Sequence, residues 1–398
     1  MIEFSDSGKS QKISKYLASM EKMVAGITSK KRLKFIDMAR SIAILLMLEG
    51  HFVDDSLADI YRDPDSVVYS TWLYIRGFTA ATFLTVTGLI FSYLLLKNRE
   101  LGYFENIRVK KGFKRFVELI FWGIVVQFYA FHVLECIAFG ILTILIIYGV
   151  YKLIRFIPLW IYFLAAGVAI FGLYKVVKGH YGGHTQVEEG LIWGIIQIMK
   201  PGKHAMYLFP IIPWIGYTMF GAMIGTLIHD LKGHVQKWYF PAAFFVIGAL
   251  CYFDPKTWLH GVDTIIHSIT GLKSNFVYQD WLFIKLGMVI MILGGLIVID
   301  QKLGHRIPDT SLFLKVGQNT LTIYVLHMVV LYGSLIGIGV NDFYHKAMGP
   351  WEVALGASLF IAFFVFLIKY IDKIRELLGF ILKPIKKGMN RLFFIKTP

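Results

Sequence analysis

The stretch Phe35–Val53, FIDMARSIAILLMLEGHFV, has the length and apolar character of a membrane-spanning helix, yet it contains Asp37, Arg40, Glu49 and His51. Ionisable groups inside a span are costly and usually mark a function. Arg40 and His51 are eleven residues apart, which places them about 20° apart around a helix and roughly 16 Å apart along its axis. A cation and an imidazole on one face of one helix therefore form the first candidate site.

The composition of the whole chain is typical of a polytopic α-helical membrane protein. Of its 398 residues, 56% are hydrophobic and 16% are aromatic, as expected for apolar spans with interfacial aromatic belts. The formal charge of +15 does not indicate nucleic-acid binding, because Lys and Arg lie in alternate loops. Cys136 and Cys251 lie in apolar segments and predict neither a disulfide nor a metal site.

The distribution of apolar segments predicts an all-α fold, a bundle of about ten transmembrane helices. The predicted spans are residues 35–53, 70–96, 113–130, 132–150, 157–177, 206–228, 238–253, 280–299, 312–337 and 352–371. This membrane domain, residues 35–375, is expected between a basic N-terminal segment, 1–34, and a basic C-terminal tail, 376–398.

Two segments outside the predicted spans have amphipathic or apolar character. Residues 8–27 fit either a basic amphipathic helix on the membrane surface or a disordered tail. Leu191–Met199, LIWGIIQIM, is too short to span and predicts an interfacial or re-entrant helix. Residues 254–279 are expected to form a long loop.

The basic residues predict the orientation of the chain. Of the 41 Lys and Arg residues, 29 lie in the two termini, the 97–115 connection and three short connections on the same side. The opposite connections hold eight. Because Lys and Arg accumulate on the cytoplasmic side, both termini are predicted to be cytoplasmic. Residues 1–34 lack a cleavage-site pattern, so the first span is expected to be retained as an anchor.

A second set of polar residues interrupts the predicted ninth span, which contains Asn319, Thr322, Tyr324 and His327. Asn319 and His327 are about 80° apart in helical projection. A histidine titrates near neutral pH and is the usual general base. Either His51 or His327 can instead be a packing residue that forms a hydrogen bond between helices.

Arg40 has two interpretations. Its side chain can extend to the lipid headgroups. Alternatively, Asp37 holds it on the His51 face, where its planar guanidinium is suited to bind a phosphate. Arg76, near the outer end of its span, is a further candidate for an anion contact.

Several other residues carry weaker signals. Lys285 is a candidate for an anion contact or for a headgroup contact. His132 and Glu135 are one helical turn apart and are candidates to join the site. His180 and His184 lie in a Gly-rich segment in which no helix fixes their spacing, so no metal site is predicted.

The segment IDMARSIAILLMLEGH resembles the opening of the heparan-alpha-glucosaminide N-acetyltransferase catalytic-domain family, which has an Asp, an Arg-Gly pair and then a His. Asp37, Arg40 and His51 occupy these places, and Ser41 stands where the family usually has Gly. Three further stretches are similar, so that the resemblance extends to the last span: TAATFLTVTGLIFSYLL, FPIIPWIGYTMFGAMIG and GQNTLTIYVLH. The fourth span, HVLECIAFG, follows the family pattern only loosely.

The resemblance implies a bacterial inner-membrane acyltransferase that moves an acetyl group from cytoplasmic acetyl-CoA to an amine or hydroxyl of a sugar or glycan on the far side, without a metal. It implies that His51 is the base, that Asn319, His327 or a backbone N–H stabilises the oxyanion, and that Arg40, Asp37 and Arg76 serve the donor. Whether the protein forms a homodimer stays open.

Two other functions compete with this one. A transporter or flippase with His51, Arg40 and His327 on its path would also place charges inside the membrane, but the chain shows no inverted repeat. A non-catalytic scaffold that binds a lipid or partner does not explain why Arg40 and His51 are aligned.

Overall fold

A computed structural model describes residues 33–127, 130–180, 206–207, 209–271, 276–373 and 376. Contacts divide the chain into two units, Met1–Lys34 and Phe35–Pro398. The helix considered for residues 8–27, the one predicted at Leu191–Met199 and nearly all of the C-terminal tail lie outside the described residues.

The described part of the chain is built almost entirely of helices. The elements are α1 (Lys34–Ser56), α2 (Val67–Arg76), α3 (Thr79–Leu95), α4 (Ile107–Val126), β1 (Ala130–Phe131), α5 (Val133–Leu153), α6 (Leu159–His180), β2 (Met206–Tyr207), α7 (Ile211–Asp230), α8 (Tyr239–Phe253), α9 (Pro255–Thr270), α10 (Asp280–Leu303), α11 (Leu312–Gln318), α12 (Thr320–Tyr332), α13 (Asn341–Tyr344) and α14 (Pro350–Lys369). Short 3-10 helices follow α1, α3, α9 and α10 at Asp59–Tyr61, Leu96–Asn98, Phe276–Gln279 and Gly304–Arg306.

The predicted all-α, polytopic membrane fold is confirmed. Five helical stretches among the described residues are long and apolar enough to cross a membrane: Val67–Asn98, Val133–Leu153, Ile211–Asp230, Phe276–Arg306 and Pro350–Lys369. Helix α1 has the length of a membrane span but carries internal charges. It is therefore less apolar than these five stretches and is not among them. The total of about ten spans stays a prediction.

Two predicted spans are each divided into two helices. The span predicted at 70–96 breaks between α2 and α3 at Gly77 and Phe78. The span predicted at 312–337 breaks between α11 and α12 at Asn319, whose side-chain amide donates to the carbonyl oxygen of Lys315 at 2.7 Å. A glycine or a single polar residue within an apolar run also occurs inside continuous helices, so the sequence alone does not reveal such breaks.

The prediction that residues 254–279 form a long loop is wrong, because the structure has helix α9 there. Asp254 accepts a hydrogen bond from the backbone N–H of Thr257, and Pro255 occupies the first turn, a favourable helix start. The helix ends at Gly271, which has φ of 69°. Asp263 then accepts hydrogen bonds from the backbone of Phe276 and Val277 at 2.7 and 3.1 Å and fixes the next turn.

The third predicted span also ends earlier than expected. Helix α4 stops at Val126, whereas the prediction ran to residue 130. Ala130–Phe131 instead forms a two-residue parallel pairing with Met206–Tyr207. Helix α5 starts at Val133 because the side chain of Glu135 accepts a hydrogen bond from the His132 backbone and completes a capping box.

The centre of the bundle depends on close contact between α3 and α7. Helix α6 also packs on α7, α8 packs along α10, and α4 pairs with α5. A methyl group added at Gly221 would overlap the carbonyl oxygen of Thr85, and one at Gly225 would overlap that of Leu89. These two glycines, four residues apart on α7, therefore bring two helix backbones together.

Helix α1 is fixed at both ends and in the middle. Near its start, the backbone N–H of Phe35 donates to Asp300 at 3.3 Å. The hydroxyl of Ser41 lies 2.5 Å from the carbonyl oxygen of Phe313, and Gly317 of α11 faces it with no room for a side chain. The larger Ser41 is thus accommodated where the related family usually has Gly.

The C-terminal end of α1 pairs with the segment that precedes α14. The backbone N–H groups of Lys346 and Met348 donate to the carbonyl oxygens of Asp55 and Ser56 at 2.8 and 2.9 Å. The Lys346 ammonium also lies 2.9 Å from the Asp59 carboxylate. This hydrogen-bonded ammonium holds the pKa of the exposed Asp59 below its usual value.

Candidate functional site

His51 lies at a meeting point of α1 and α12. Its Nδ1 atom is 3.0 Å from the hydroxyl of Tyr332. The ring of His327 lies 5.3 Å from the His51 ring, centroid to centroid. The structure thus brings together the two histidines that the sequence singled out, although they are 276 residues apart.

His327 is completely buried, and neither of its ring nitrogens has a hydrogen-bond partner among the described residues. The ring of Tyr324 packs edge-on against it at 4.9 Å. Burying a polar group without a partner is costly. His327 lines neither of the two cavities described below, so its hydrogen-bonding capacity lies beside His51 and away from the cavity walls.

A cavity of about 560 Å³ opens beside His51. Its polar wall is formed by His51, Arg76, Gln127, His132 and Tyr332, and its apolar wall by residues such as Leu46, Phe83, Val126, Phe209 and Met328. A largely apolar cavity of this size with a few converging polar groups is typical of a small-molecule site. The volume is sufficient for a sugar unit.

Arg76 lies in the wall of this cavity rather than near Arg40. Its guanidinium forms an ion pair with Asp54, lies over the Trp72 ring at 5.7 Å, and has its Nε atom 3.4 Å from the carbonyl oxygen of Gly50. The predicted grouping of Arg76 with Arg40 as donor-binding residues is therefore not reproduced in space.

A second cavity, of about 150 Å³, lies at the other end of α1. Arg40 and Arg115 both line it, together with Thr87 and Thr320. Arg40 donates to the hydroxyl of Thr320 at 3.0 Å and lies 3.9 Å from Asp37. Asp37 is buried and does not line this cavity, so the structure places it beside Arg40 and away from the cavity wall.

The two cavities share a wall. Phe83 of α3 and Tyr324 of α12 line both of them. Arg40 and His51 thus open onto neighbouring spaces on either side of two aromatic side chains, which agrees with the shared helix face expected from the sequence.

His132 and Glu135 join the site through α5. His132 lines the larger cavity, and its Nδ1 atom lies 3.2 Å from Glu135 and 3.5 Å from the Tyr324 hydroxyl. Glu135 is fully buried. A buried carboxylate and imidazole next to His327 extend the polar cluster into the bundle.

The remaining candidates lie elsewhere. Asn319 lines neither cavity and stands next to Thr320, eight residues or roughly 12 Å of helix rise from His327. Lys285 packs against the rings of Trp214 and Trp281 at 5.8 and 5.2 Å. His184 lies outside the described residues, within which no cluster of metal-ligating side chains is found.

Sequence reasoning missed Tyr332, Asp55 and Arg115 as individual residues. Tyr332 is one of 21 tyrosines and lies five residues after His327, beyond the apolar run Met328–Leu331, with no pattern to distinguish it. Asp55, whose carboxyl lies beside the Tyr332 hydroxyl, is one of five Asp residues in the acidic stretch 54–65. Arg115 belongs to the basic segment 97–115. The sequence marks this segment as a whole by its charge but does not distinguish Arg115 within it.

Comparison with known proteins identifies one family. The family model described as Heparan-alpha-glucosaminide N-acetyltransferase, catalytic, matches residues 32–254, more than half of the chain. The matched region contains Arg40, His51, Arg76 and His132. It ends before α12, so the resemblance in the ninth span stays a prediction. A search of curated proteins finds no match.

Proposed function

The chain belongs to the heparan-alpha-glucosaminide N-acetyltransferase catalytic-domain family, and from this premise we propose that it moves an acetyl group from acetyl-CoA on the Arg40 side of the membrane to a sugar on the His51 side. The family supports the activity as a transmembrane acetyltransferase. The observation that carries the finer proposal is that Arg40 and His51 line two cavities with a common wall.

The smaller cavity fits the narrow part of acetyl-CoA. Its volume of about 150 Å³ is below the usual range for whole ligand sites, roughly 300 Å³ and above. The nucleotide would remain outside, and Arg40 and Arg115 would pair with its phosphates, to which guanidinium groups are suited. The pantetheine arm would pass between Phe83 and Tyr324 toward His51.

The charge distribution supports donor entry from the cytoplasm. Residues 97–115, which include the first turns of α4, hold seven Lys and Arg residues, and Arg115 joins this basic segment to the smaller cavity. Because the basic side faces the cytoplasm, the anionic donor would meet a positive surface there. Both termini would then be cytoplasmic, and the host membrane would be the bacterial inner membrane.

His51 would act as the general base at the thioester. Nε2 takes a proton from the acceptor nitrogen or oxygen while that atom forms a bond to the acetyl carbonyl carbon. The C–S bond then breaks, and the CoA thiolate takes the proton from the imidazolium to become a thiol. His327 lies 5.3 Å from the His51 ring but lines neither cavity, so its ring would have to turn toward the thioester to donate to the oxyanion. Asn319 lies too far along α12 for this role.

The acceptor would occupy the larger cavity, whose polar wall includes His51, Arg76 and Gln127. The test is purified protein in detergent with labelled acetyl-CoA and a panel of amino sugars and glycans. We expect transfer that His51→Ala abolishes without loss of CoA binding. If no CoA ester binds at millimolar concentration, the proposal fails and transport becomes the preferred function.

A further inference from the structure

The hydroxyl of Tyr332 lies between His51 and the carboxyl group of Asp55. Asp55 follows His51 by four residues on α1, so the two side chains project from the same face. The Asp55 carboxyl lies beside the Tyr332 hydroxyl, and its Oδ2 atom is buried and has no hydrogen-bond partner in the described part of the chain, so this oxygen is available to accept from Tyr332. Three side chains thus form a series from Asp55 through Tyr332 to His51.

The backbone fixes Tyr332 at this position. Tyr332 is the last residue of α12, and Gly333 follows with φ of 66°, a left-handed conformation that strongly favours glycine. A methyl group at Gly333 would also contact the backbone of Ile338 and Gly339. The helix therefore ends where the hydroxyl reaches His51.

The hydrogen-bonding capacity of each group determines which of the three side chains donates and which accepts. An ionised carboxylate only accepts, whereas a tyrosine hydroxyl has one proton to donate. If Tyr332 donates to Asp55, its oxygen is left to accept the Nδ1 proton of His51. The opposite nitrogen, Nε2, then carries a lone pair.

We propose that Tyr332, backed by Asp55, is a positioning residue that holds His51 in its Nδ1-protonated form and so keeps Nε2 available as the base. This inference rests on the proposed acetyl transfer for its catalytic meaning. Without Asp55, the Tyr332 hydroxyl is free to donate to Nδ1. The proton of His51 then moves to Nε2, and the imidazole loses the lone pair that faces the reaction.

This arrangement has an unusual consequence for mutants. Asp55→Ala leaves a hydroxyl that enforces the wrong tautomer, so kcat should fall by about 100-fold, within the range ascribed to general-base catalysis. Tyr332→Phe removes the hydroxyl and enforces neither tautomer, so the loss should be about tenfold. The double variant should match Tyr332→Phe, which means that the second substitution restores activity lost in the first.

The kinetic test compares these three variants with Asp55→Asn and Tyr217→Phe. Asn keeps an acceptor oxygen and should recover part of the activity lost in Asp55→Ala. Tyr217→Phe is the matched control, because it removes a buried tyrosine hydroxyl that donates to Leu282 at 3.1 Å. The KM for acetyl-CoA should stay within about twofold in all of them. Equal or additive losses in the single and double variants would overturn the proposal.

A spectroscopic measurement tests the same inference without activity. ¹⁵N NMR of histidine-labelled protein, assigned with His51→Gln, should show Nδ1 protonated in the wild type and Nε2 protonated in Asp55→Ala. The same tautomer in both proteins would contradict the inference. If the tautomer changes as expected but no variant or wild type transfers acetyl groups, the proposed function fails and the positioning of His51 stands.

Discussion

Arg40 and His51 lie on the same helix, α1, and each lines one of two cavities that share a wall. Eleven residues separate the two side chains, or roughly 16 Å of helix rise. This distance corresponds to about half of a hydrocarbon core of ~30 Å. One helix therefore carries both a candidate phosphate contact and a candidate base across much of the membrane.

Arg40→Ala and His51→Ala should have separable effects. Loss of the guanidinium removes a charge-assisted contact, so the Kd for CoA should rise by about 10- to 100-fold. Loss of the imidazole should lower kcat by at least about 100-fold with little change in CoA binding. Calorimetry with CoA and a transfer assay measure the two quantities.

The matched control for Arg40→Ala is Arg306→Ala, which removes an exposed cation from a connection on the same predicted side. CoA affinity should not change in that variant. If both arginine variants weaken CoA binding equally, the effect is general electrostatics, and Arg40 has no specific part in donor recognition.

Phe83→Trp should narrow the passage between the two cavities. A larger ring in a packed wall obstructs the neighbouring space, so acetyl-CoA should bind more weakly, while the nucleotide fragment of CoA without its pantetheine arm should bind as before. Competition binding with both ligands measures this difference.

Phe245→Trp is the comparison for this experiment, because Phe245 is 42% exposed on the surface of α8. It should affect neither ligand. Equal weakening of acetyl-CoA and of the nucleotide fragment in Phe83→Trp would place the arm elsewhere.

Gly221→Ala should destabilise the bundle. The added methyl group meets the carbonyl oxygen of Thr85, and α3 cannot move away without losing its contacts with α7. Overpacking of this kind costs about 1–3 kcal/mol. Thermal unfolding in detergent should show a lower midpoint.

Gly295→Ala provides the control within another apolar helix, since no atom lies within 4 Å of the added methyl group. Its midpoint should be unchanged or raised, because alanine favours a helix by up to about 1 kcal/mol. Equal midpoints for the two variants would show that α3 and α7 do not depend on close backbone contact.

The contact between Asp59 and Lys346 should give a pH-dependent stability. The pKa of Asp59 is lower in the folded protein, so its contribution is present above the unfolded pKa and is lost as the pH falls through the folded pKa. The midpoint difference between the wild type and Lys346→Gln should therefore shrink from about pH 6 to about pH 3. A constant difference across this range would exclude the ion pair as its source.

The sequence predicted the fold class and α1 well because length, apolarity and charge placement are local properties. The prediction missed α9, because this amphipathic helix contains many polar residues and its sequence therefore resembles a loop. It also missed the helix breaks at Gly77 and Asn319. One glycine or one polar residue in an apolar span does not show that the helix stops there, and tertiary contacts decide.

The candidate site was predictable only in part for a similar reason. Arg40, His51 and His327 interrupt apolar runs and are therefore visible in the sequence. Tyr332 and Arg115 are ordinary members of an aromatic-rich and a basic segment. Only the packing of α12 and α4 against α1 and α3 gives them a place beside the two cavities.

Acetyl transfer across the membrane is tested most directly in sealed membrane vesicles. Labelled acetyl-CoA is supplied on the face that carries the basic loops, and a glucosamine-containing acceptor is enclosed on the opposite face. Labelled acetyl groups should appear on the enclosed acceptor with wild-type protein and be absent with His51→Ala. If the acceptor is labelled only when it shares one face with the donor, transfer across the membrane is contradicted. If His51→Ala transfers as much label as the wild type, the role of His51 is contradicted.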